Sequence, residues 1–247
     1  MKRTTILSVF GVVFLTIGCA KSDAPGAEEA AAAKKVYGEW RIRLRPESEA
    51  DYNKLIEEQG LALYTEAGGR LMGWWHAYAG GPQEQVTIWE FDDIGAYRTA
   101  MSALMKNDRY RQFDALWRPL VDVVHNRLLR LPIEAEPATV PERAPFLIYE
   151  QHHVPYPRLN LYLDFMFEDG LEILRRNGFR PTGPFLINVG RWSDVTYVFR
   201  YTSPTEREEL RAKFAETADA KDFTRNLRRY IADISTRMMV PAPFTIP

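Results

Sequence analysis

Two tandem ferredoxin-like β-α-β-β-α-β repeats, pairing their sheets into an intramolecular α+β barrel, are the fold class this sequence predicts. Three observations carry the prediction. Slid against itself by 110 positions, the chain places Gly60-Leu61 on Gly170-Leu171, and Gly68, Arg70 and Gly73 on Gly178, Arg180 and Gly183. Phe113, Arg118 and Arg127 fall on Phe223, Arg228 and Arg237 in the same alignment. A period this long marks a duplicated domain rather than a solenoid of short repeats. Each copy shows strand-like alternation and helical spacing in the same order. Between the copies, Pro137, Pro141 and Pro145 discourage helix and ladder alike, so residues 133–145 read as a linker between repeats at 36–132 and 146–247.

In the first repeat, Glu39 to Arg45 alternates strictly between apolar and charged residues, the period of a strand with two unlike faces. Pro46 ends it. Tyr52, Leu55, Ile56, Gln59 and Leu63 recur at helical spacing, and Gly68-Gly69 stops that helix. Leu71 to Tyr78 reads as an aromatic-rich strand, Gly80-Gly81-Pro82 as a turn, and Val86 to Phe91 as the next strand. Asp92 or Asp93 can cap a second helix carrying Ile94, Tyr97, Met101 and Leu104. A further helical piece holds Tyr110, Phe113 and Trp117, and Leu120 to Arg130 is the last strand. The second repeat follows the same order. Its second helix opens on Ser203-Pro204-Thr205-Glu206, a capping box with proline at the first helical position. Its first strand, Leu147 to Val154, is interrupted by His152-His153. Each unit then makes a four-stranded sheet with both helices on one face. Two bare sheet faces remain, and they bury each other by closing into a barrel.

The residues before the first repeat carry a different signal. Lys2 and Arg3 precede an apolar run from Ile6 to Ile17 that is too short to span a bilayer, and Cys19, the single cysteine, ends it. Thr16-Ile17-Gly18-Cys19 resembles the cleavage box of a bacterial lipoprotein signal. The resemblance implies that residues 1–18 are removed and that Cys19 is acylated. A protein secreted without a lipid, its cysteine there by chance, is the alternative. Residues 19–35 are small and polar and read as a tether. Ala20-Lys21-Ser22 places no aspartate after the cysteine, which by analogy favours the periplasmic face of the outer membrane. The membrane, through this anchor, is therefore one expected partner. With a formal net charge of −1 and no basic block, nothing supplies the clustered cations that nucleic acid requires.

Gly69-Arg70-Leu71-Met72-Gly73-Trp74-Trp75, followed by Gln85 to Asp93, resembles the NIPSNAP family, as do Tyr37 to Arg41 and Trp117-Arg118-Pro119-Leu120. The similarity spans the first repeat and, more faintly, the second. There the Trp-Glu-Phe-Asp-Asp stretch becomes Phe199-Arg200-Tyr201-Thr202-Ser203. The resemblance implies a tandem ferredoxin-like fold of the dimeric α+β barrel superfamily. It implies little chemistry, because bacterial members have no general assigned activity.

Strand parity in the first repeat sends Trp40, Ile42 and Leu44 towards the helices and Glu39 and Arg41 into the barrel. The matching strand can place Glu150 and His152 similarly, with an offset of 111. Glu90 and its counterpart Arg200 lie on the third strands. Together these six form a candidate polar site, in which a glutamate or histidine could act as general base; alternatively the charges simply neutralise one another. Trp74, Trp75 and Trp89 could wall an apolar pocket, with His76 beside it, or could be core. His152 and His153 are adjacent and point to opposite faces, so they cannot share one metal, and no zinc spacing appears elsewhere. No nucleophile elbow or phosphate loop is present, and no cofactor is called for. Two functions are open: a lipid-anchored envelope protein holding a small apolar molecule or docking a protein partner, or a cofactor-independent enzyme working inside the barrel.

Overall fold

Alternating apolar residues fix the architecture. The computed structural model describes residues 34–78, 83–132, 144–189 and 194–245. Cys19, the leader, nearly all of the tether and linker, and the turn at 80–82 lie outside the described residues. The first repeat runs β1 (Val36–Leu44), α1 (Glu49–Leu55), a π-helical turn (Ile56–Gly60), α2 (Leu61–Glu66), β2 (Arg70–Ala77) and β3 (Glu84–Phe91), then α3 (Ile94–Lys106), α4 (Asp108–Trp117) and β4 (Val121–Arg130). The second runs β5 (Phe146–His153), α5 (Leu159–Phe165), a π-helical turn (Met166–Gly170), α6 (Leu171–Arg176), β6 (Pro181–Val189) and β7 (Asp194–Tyr201), then α7 (Pro204–Ala215), α8 (Ala218–Tyr230) and β8 (Asp233–Pro241).

The strands close into one antiparallel barrel in the order β1-β3-β2-β8-β5-β7-β6-β4. Each repeat contributes four consecutive strands of that order. Two short seams join them: β2 meets β8 from Trp75 to Ala77, and β4 meets β6 from Leu128 to Arg130. These seams close the barrel, three residues of each outer strand at a time.

Period-two alternation then separates three cores. Tyr37, Trp75, Val86, Ile88, Leu129, Leu147, Tyr149, Val198 and Met239 fill the barrel. Their strand neighbours face outward. Ile42, Trp74, Trp89 and Leu128 pack on Tyr52, Leu104 and Phe113 of the first repeat's helices. Ile148, Tyr197 and Phe199 pack on Tyr162, Leu174 and Phe223 in the second.

The repeated glycines have geometric causes. Gly68 and Gly178 take φ of +96° and +90°, left-handed conformations that end α2 and α6. Gly60 sits where a Cβ would come within 3.2 Å of the Phe113 ring, a tight contact that glycine relieves as α4 approaches the π-helical turn.

Candidate functional site

Inside the barrel, residues at matching positions of the two repeats touch. Tyr149 donates its hydroxyl hydrogen to Glu39, and Arg41 donates to Gln151 at 3.0 Å; both pairs are separated by 110 positions. These contacts mark a pseudo-twofold axis. Around it, Arg127 grips Glu39 through Nη2 at 2.8 and 2.7 Å, and its Nη1 lies 3.7 Å from Asp194. The counterpart pair, Arg237 and Glu84, bonds at 3.0 Å. Glu39 is fully enclosed. Burial first, then the Glu39 charge, push the Tyr149 phenol well up, so it serves Glu39 only as a donor. The carboxylate's hydrogen-bonding capacity is spent on these neighbours, and the cluster reads as a staple between halves.

The remaining expected site residues are dispersed. Glu90 points into the barrel as expected but is held by Arg70 at 2.7 Å and Lys35 at 2.8 Å. Arg200 also points inward, across the ladder from Leu147. Trp75 is barrel core. His76 lies on the helix side, 2.7 Å from Glu49 at the start of α1. Glu150 and His152 correct the expected parity. Tyr149 and Gln151 take the inward positions of Glu39 and Arg41, so the offset is 110 on this strand as elsewhere. Glu150 and His152 therefore face the helices of the second repeat. One residue of register turns every side chain over.

One cavity of about 290 Å³ opens at an end of the barrel among Arg41, Arg43, Glu84, Val123, His125 and Arg237; two others lie in the outer layers. In the first repeat, about 290 Å³ lies between β1, β3, β4 and the helices. Trp40, Trp74, Trp89 and Trp117 wall it with Tyr52, Tyr64, Tyr110 and Phe113; Ile42, Ile56, Thr87, Asp114, Arg118, Val124 and Asn126 complete the lining. Tyr64 stacks on Trp89 with ring centroids 5.2 Å apart. The Trp74 indole is satisfied by Gln85 at 2.7 Å, which in turn donates to Asn53 at 2.7 Å. Two other buried polar atoms on the wall, Thr87 Oγ1 and Trp117 Nε1, have no hydrogen-bond partner among the described residues. Each such group costs about 1–3 kcal/mol.

The second repeat holds about 390 Å³ at the equivalent place. Trp40, Tyr64, Trp89, Tyr110, Phe113, Val124 and Asn126 are replaced on its wall by Glu150, Leu174, Phe199, Ala220, Phe223, Ile234 and Thr236. Below it, His152 Nε2 lies 2.7 Å from Glu150 Oε1 and Nδ1 lies 2.7 Å from the Tyr162 hydroxyl. Tyr162 donates to the Tyr197 hydroxyl at 2.9 Å. Among the described residues, no group of three or more His, Cys, Asp or Glu could hold a metal, and no helix is long and apolar enough to cross a membrane.

A NIPSNAP family model matches residues 39–133 and 158–245, once in each repeat. The chain belongs to the NIPSNAP family. Comparison with curated proteins gives no match. Among solved structures, a candidate monooxygenase of Fusobacterium nucleatum superposes with a TM-score of 0.62 at 11% identity, covering 85% of this chain and 93% of that one. A candidate monooxygenase of Lactobacillus acidophilus gives 0.56 at 11% identity, over 84% and 93%. An anthrone oxidase-like protein gives 0.58 at 13% identity, over 85% and 93%. At such identity the likeness shows the shared α+β barrel alone.

Within this NIPSNAP chain, expectation from the sequence passed over Thr87, Trp117, Tyr197, Arg207 and Arg211, and did not foresee that Tyr162 would bond His152. One signal was available. The 110-position match held for Tyr52 with Tyr162, and carried along the first strand of each repeat it sets Glu150 and His152 facing Tyr162.

Proposed function

We propose that this NIPSNAP-family protein is held at the bacterial envelope by a lipid on Cys19 and binds a small, flat apolar molecule in its first cavity. The observation that carries the ligand reading is the pair of polar atoms without a partner among the described residues, Thr87 Oγ1 and Trp117 Nε1, on a largely aromatic wall. A ligand with an apolar body and one hydrogen-bond acceptor would bury its rings against the four tryptophans and satisfy the indole N–H. Few convergent polar groups on a largely apolar cavity are what small-molecule sites offer. The lining holds no histidine, and Asp114, its one carboxylate, is engaged by Arg118 at 2.5 Å. The first cavity is therefore suited to binding rather than proton transfer.

Tryptophan fluorescence of the full chain titrated with 9-fluorenone, a flat ketone, tests this. Saturable quenching is expected. Val124→Trp, which fills the cavity, should abolish it, and Trp117→Phe should weaken binding about tenfold, ~1.4 kcal/mol. Non-saturable quenching, or quenching indifferent to Val124→Trp, would refute the ligand site. The anchor has a separate test. It draws support from the basic, apolar and small-residue order before Cys19 and from the polar tether after it. Cys19→Ser should move the protein from the membrane fraction to the soluble envelope fraction.

A further inference from the structure

The first cavity's one carboxylate among the described residues, Asp114, is held by Arg118, whereas the second presents Glu150 beside Arg207 and Arg211. Phe179, Phe199 and Phe223 give it apolar walls, while Glu150, Arg207 and Arg211 also line it. Glu150 gives one carboxylate oxygen to His152, and Oε2 has no partner among the described residues. Hydrogen-bond accounting shows what the chain below can do. When Tyr162 donates to Tyr197, Nδ1 must donate to Tyr162, and a proton then lies between Nε2 and Glu150 that either group can hold. When Tyr162 turns its hydrogen towards Nδ1, the set holds one proton fewer. The two states differ by one proton and hydroxyl rotations. Burial pushes both phenols well above their ordinary range, so they pass hydrogens by rotating rather than by ionising.

The fold does not need this set. At the matching positions the first repeat has Trp40, Ile42, Tyr52 and Thr87, and builds the same strands and helices. Buried ionisable groups that packing does not require point to chemistry. The charged and titratable groups around the Glu150–His152 pair are Tyr162 from α5, Tyr197 and Tyr201 from β7, and Arg207 and Arg211 from α7; α8 presents Phe223 and Thr224, and β8 presents Ile234 and Thr236.

We propose that the second cavity is a proton-transfer site for an apolar molecule bearing an enolisable carbonyl, with Glu150 as catalytic base. Glu150 Oε2 takes a proton from the carbon beside the carbonyl. The C–H electron pair becomes the new C=C bond, and the C=O π pair moves onto oxygen. The guanidinium groups of Arg207 and Arg211 stabilise that enolate oxygen. Delivery of a proton from Glu150 back to carbon regenerates the carboxylate. Return to the same carbon exchanges the hydrogen with solvent; return to the far end of a conjugated system shifts a double bond. No oxidant, reductant or cofactor enters the balance. His152, Tyr162 and Tyr197 are positioning residues that hold the carboxylate and store its proton.

The test is solvent-deuterium exchange of 2-tetralone, followed by proton NMR with the full chain. Exchange should saturate with ketone and exceed the buffer rate by about 100-fold or more. Glu150→Gln, folded by circular dichroism, should fall to the buffer rate. His152→Gln should retain exchange with a displaced pH profile, which loss of packing alone would not produce. Val124→Trp, which blocks the first cavity, should leave exchange intact. Absence of acceleration by the wild-type protein, full activity in Glu150→Gln, or loss of activity in Val124→Trp would each overturn the assignment.

Discussion

The two outer cavities share a backbone and differ in their walls. Both lie between a four-stranded sheet and helices, and both are bounded by the same phenylalanine, Phe113 or Phe223. The second is larger because Leu174 stands where the first has Tyr64, Phe199 where it has Trp89, and Ala220 where it has Tyr110. It is also the more polar, because Glu150 replaces Trp40 and Arg207 and Arg211 join its wall. Duplication provided two copies of one cavity, and the barrel kept both while their linings separated into an aromatic slot and an ionisable one. The barrel's centre diverged under a stronger constraint. On the axis, two copies of Glu39 would set like charges against each other in a buried space. With Tyr149 opposite, the same position becomes a donor–acceptor pair. Outer cavities can change residue by residue, whereas axial residues must change in step with their partners.

The largest effect is expected on the axis. Glu39→Gln would leave the Arg127 guanidinium buried with Asp194 at 3.7 Å as its remaining ion-pair partner among the described residues. Removing one partner of a buried pair costs about 3–5 kcal/mol. Urea unfolding should show a loss of that size with little change in slope. A loss below ~1 kcal/mol would show that the axial cluster does not hold the halves together, and the contrast between centre and periphery would collapse.

A smaller effect is expected beneath the second cavity. His152→Ile installs the residue the first repeat uses at this place. Tyr162 keeps Tyr197, and Glu150, whose side chain is 23% exposed, can turn to solvent. One hydrogen-bonded arrangement is lost and apolar packing is gained, so stability should change by no more than about 1.5 kcal/mol in either direction. A loss above ~3 kcal/mol would make the histidine a structural staple and remove the argument that the fold can do without it.

Much of this architecture was legible from local chemistry. Alternation at Glu39 to Arg45 and glycines at 68 and 178 fixed elements and their duplication, because each follows from steric or periodic rules within a few residues. The site was less legible. Glu39 and Arg41 were placed inside correctly, but Glu39's partner Arg127 lies 88 positions away, and pairing at that range depends on strand register. The misplaced pair, Glu150 and His152, came from letting one strand slip against the repeat. The π-helical turns at Ile56–Gly60 and Met166–Gly170 left no periodic trace, since they insert a single wide turn into an otherwise ordinary helical pattern.

The mildest test concerns how the two repeats start their second helices. Asp93 alone caps α3, accepting from Ala96 N at 2.7 Å. At α7 the cap is reciprocal: Ser203 Oγ accepts from Glu206 N at 3.1 Å, while the Glu206 carboxylate accepts from the Thr202 backbone N–H and, at 2.8 Å, from its hydroxyl. The backbone N–H first, then the hydroxyl and Arg180, hold the Glu206 carboxyl below its ordinary range. Because the folded value is depressed, its contribution is present above the unfolded pKa of about 4.3 and is lost as pH falls through the folded value. Its side chain is partly exposed, so solvent screening limits the effect. Glu206→Gln should cost about 0.5 kcal/mol at pH 7 and converge with wild type in acid. Asp93 has no such reciprocal partner, since Ala96 stands where α7 has Glu206. An Ala96→Glu variant should therefore bring the first repeat towards the second, gaining a few tenths of a kcal/mol at pH 7 and nothing below about pH 3. An equal gain at both pH values would mean that helix propensity, not the carboxylate, distinguishes the two caps.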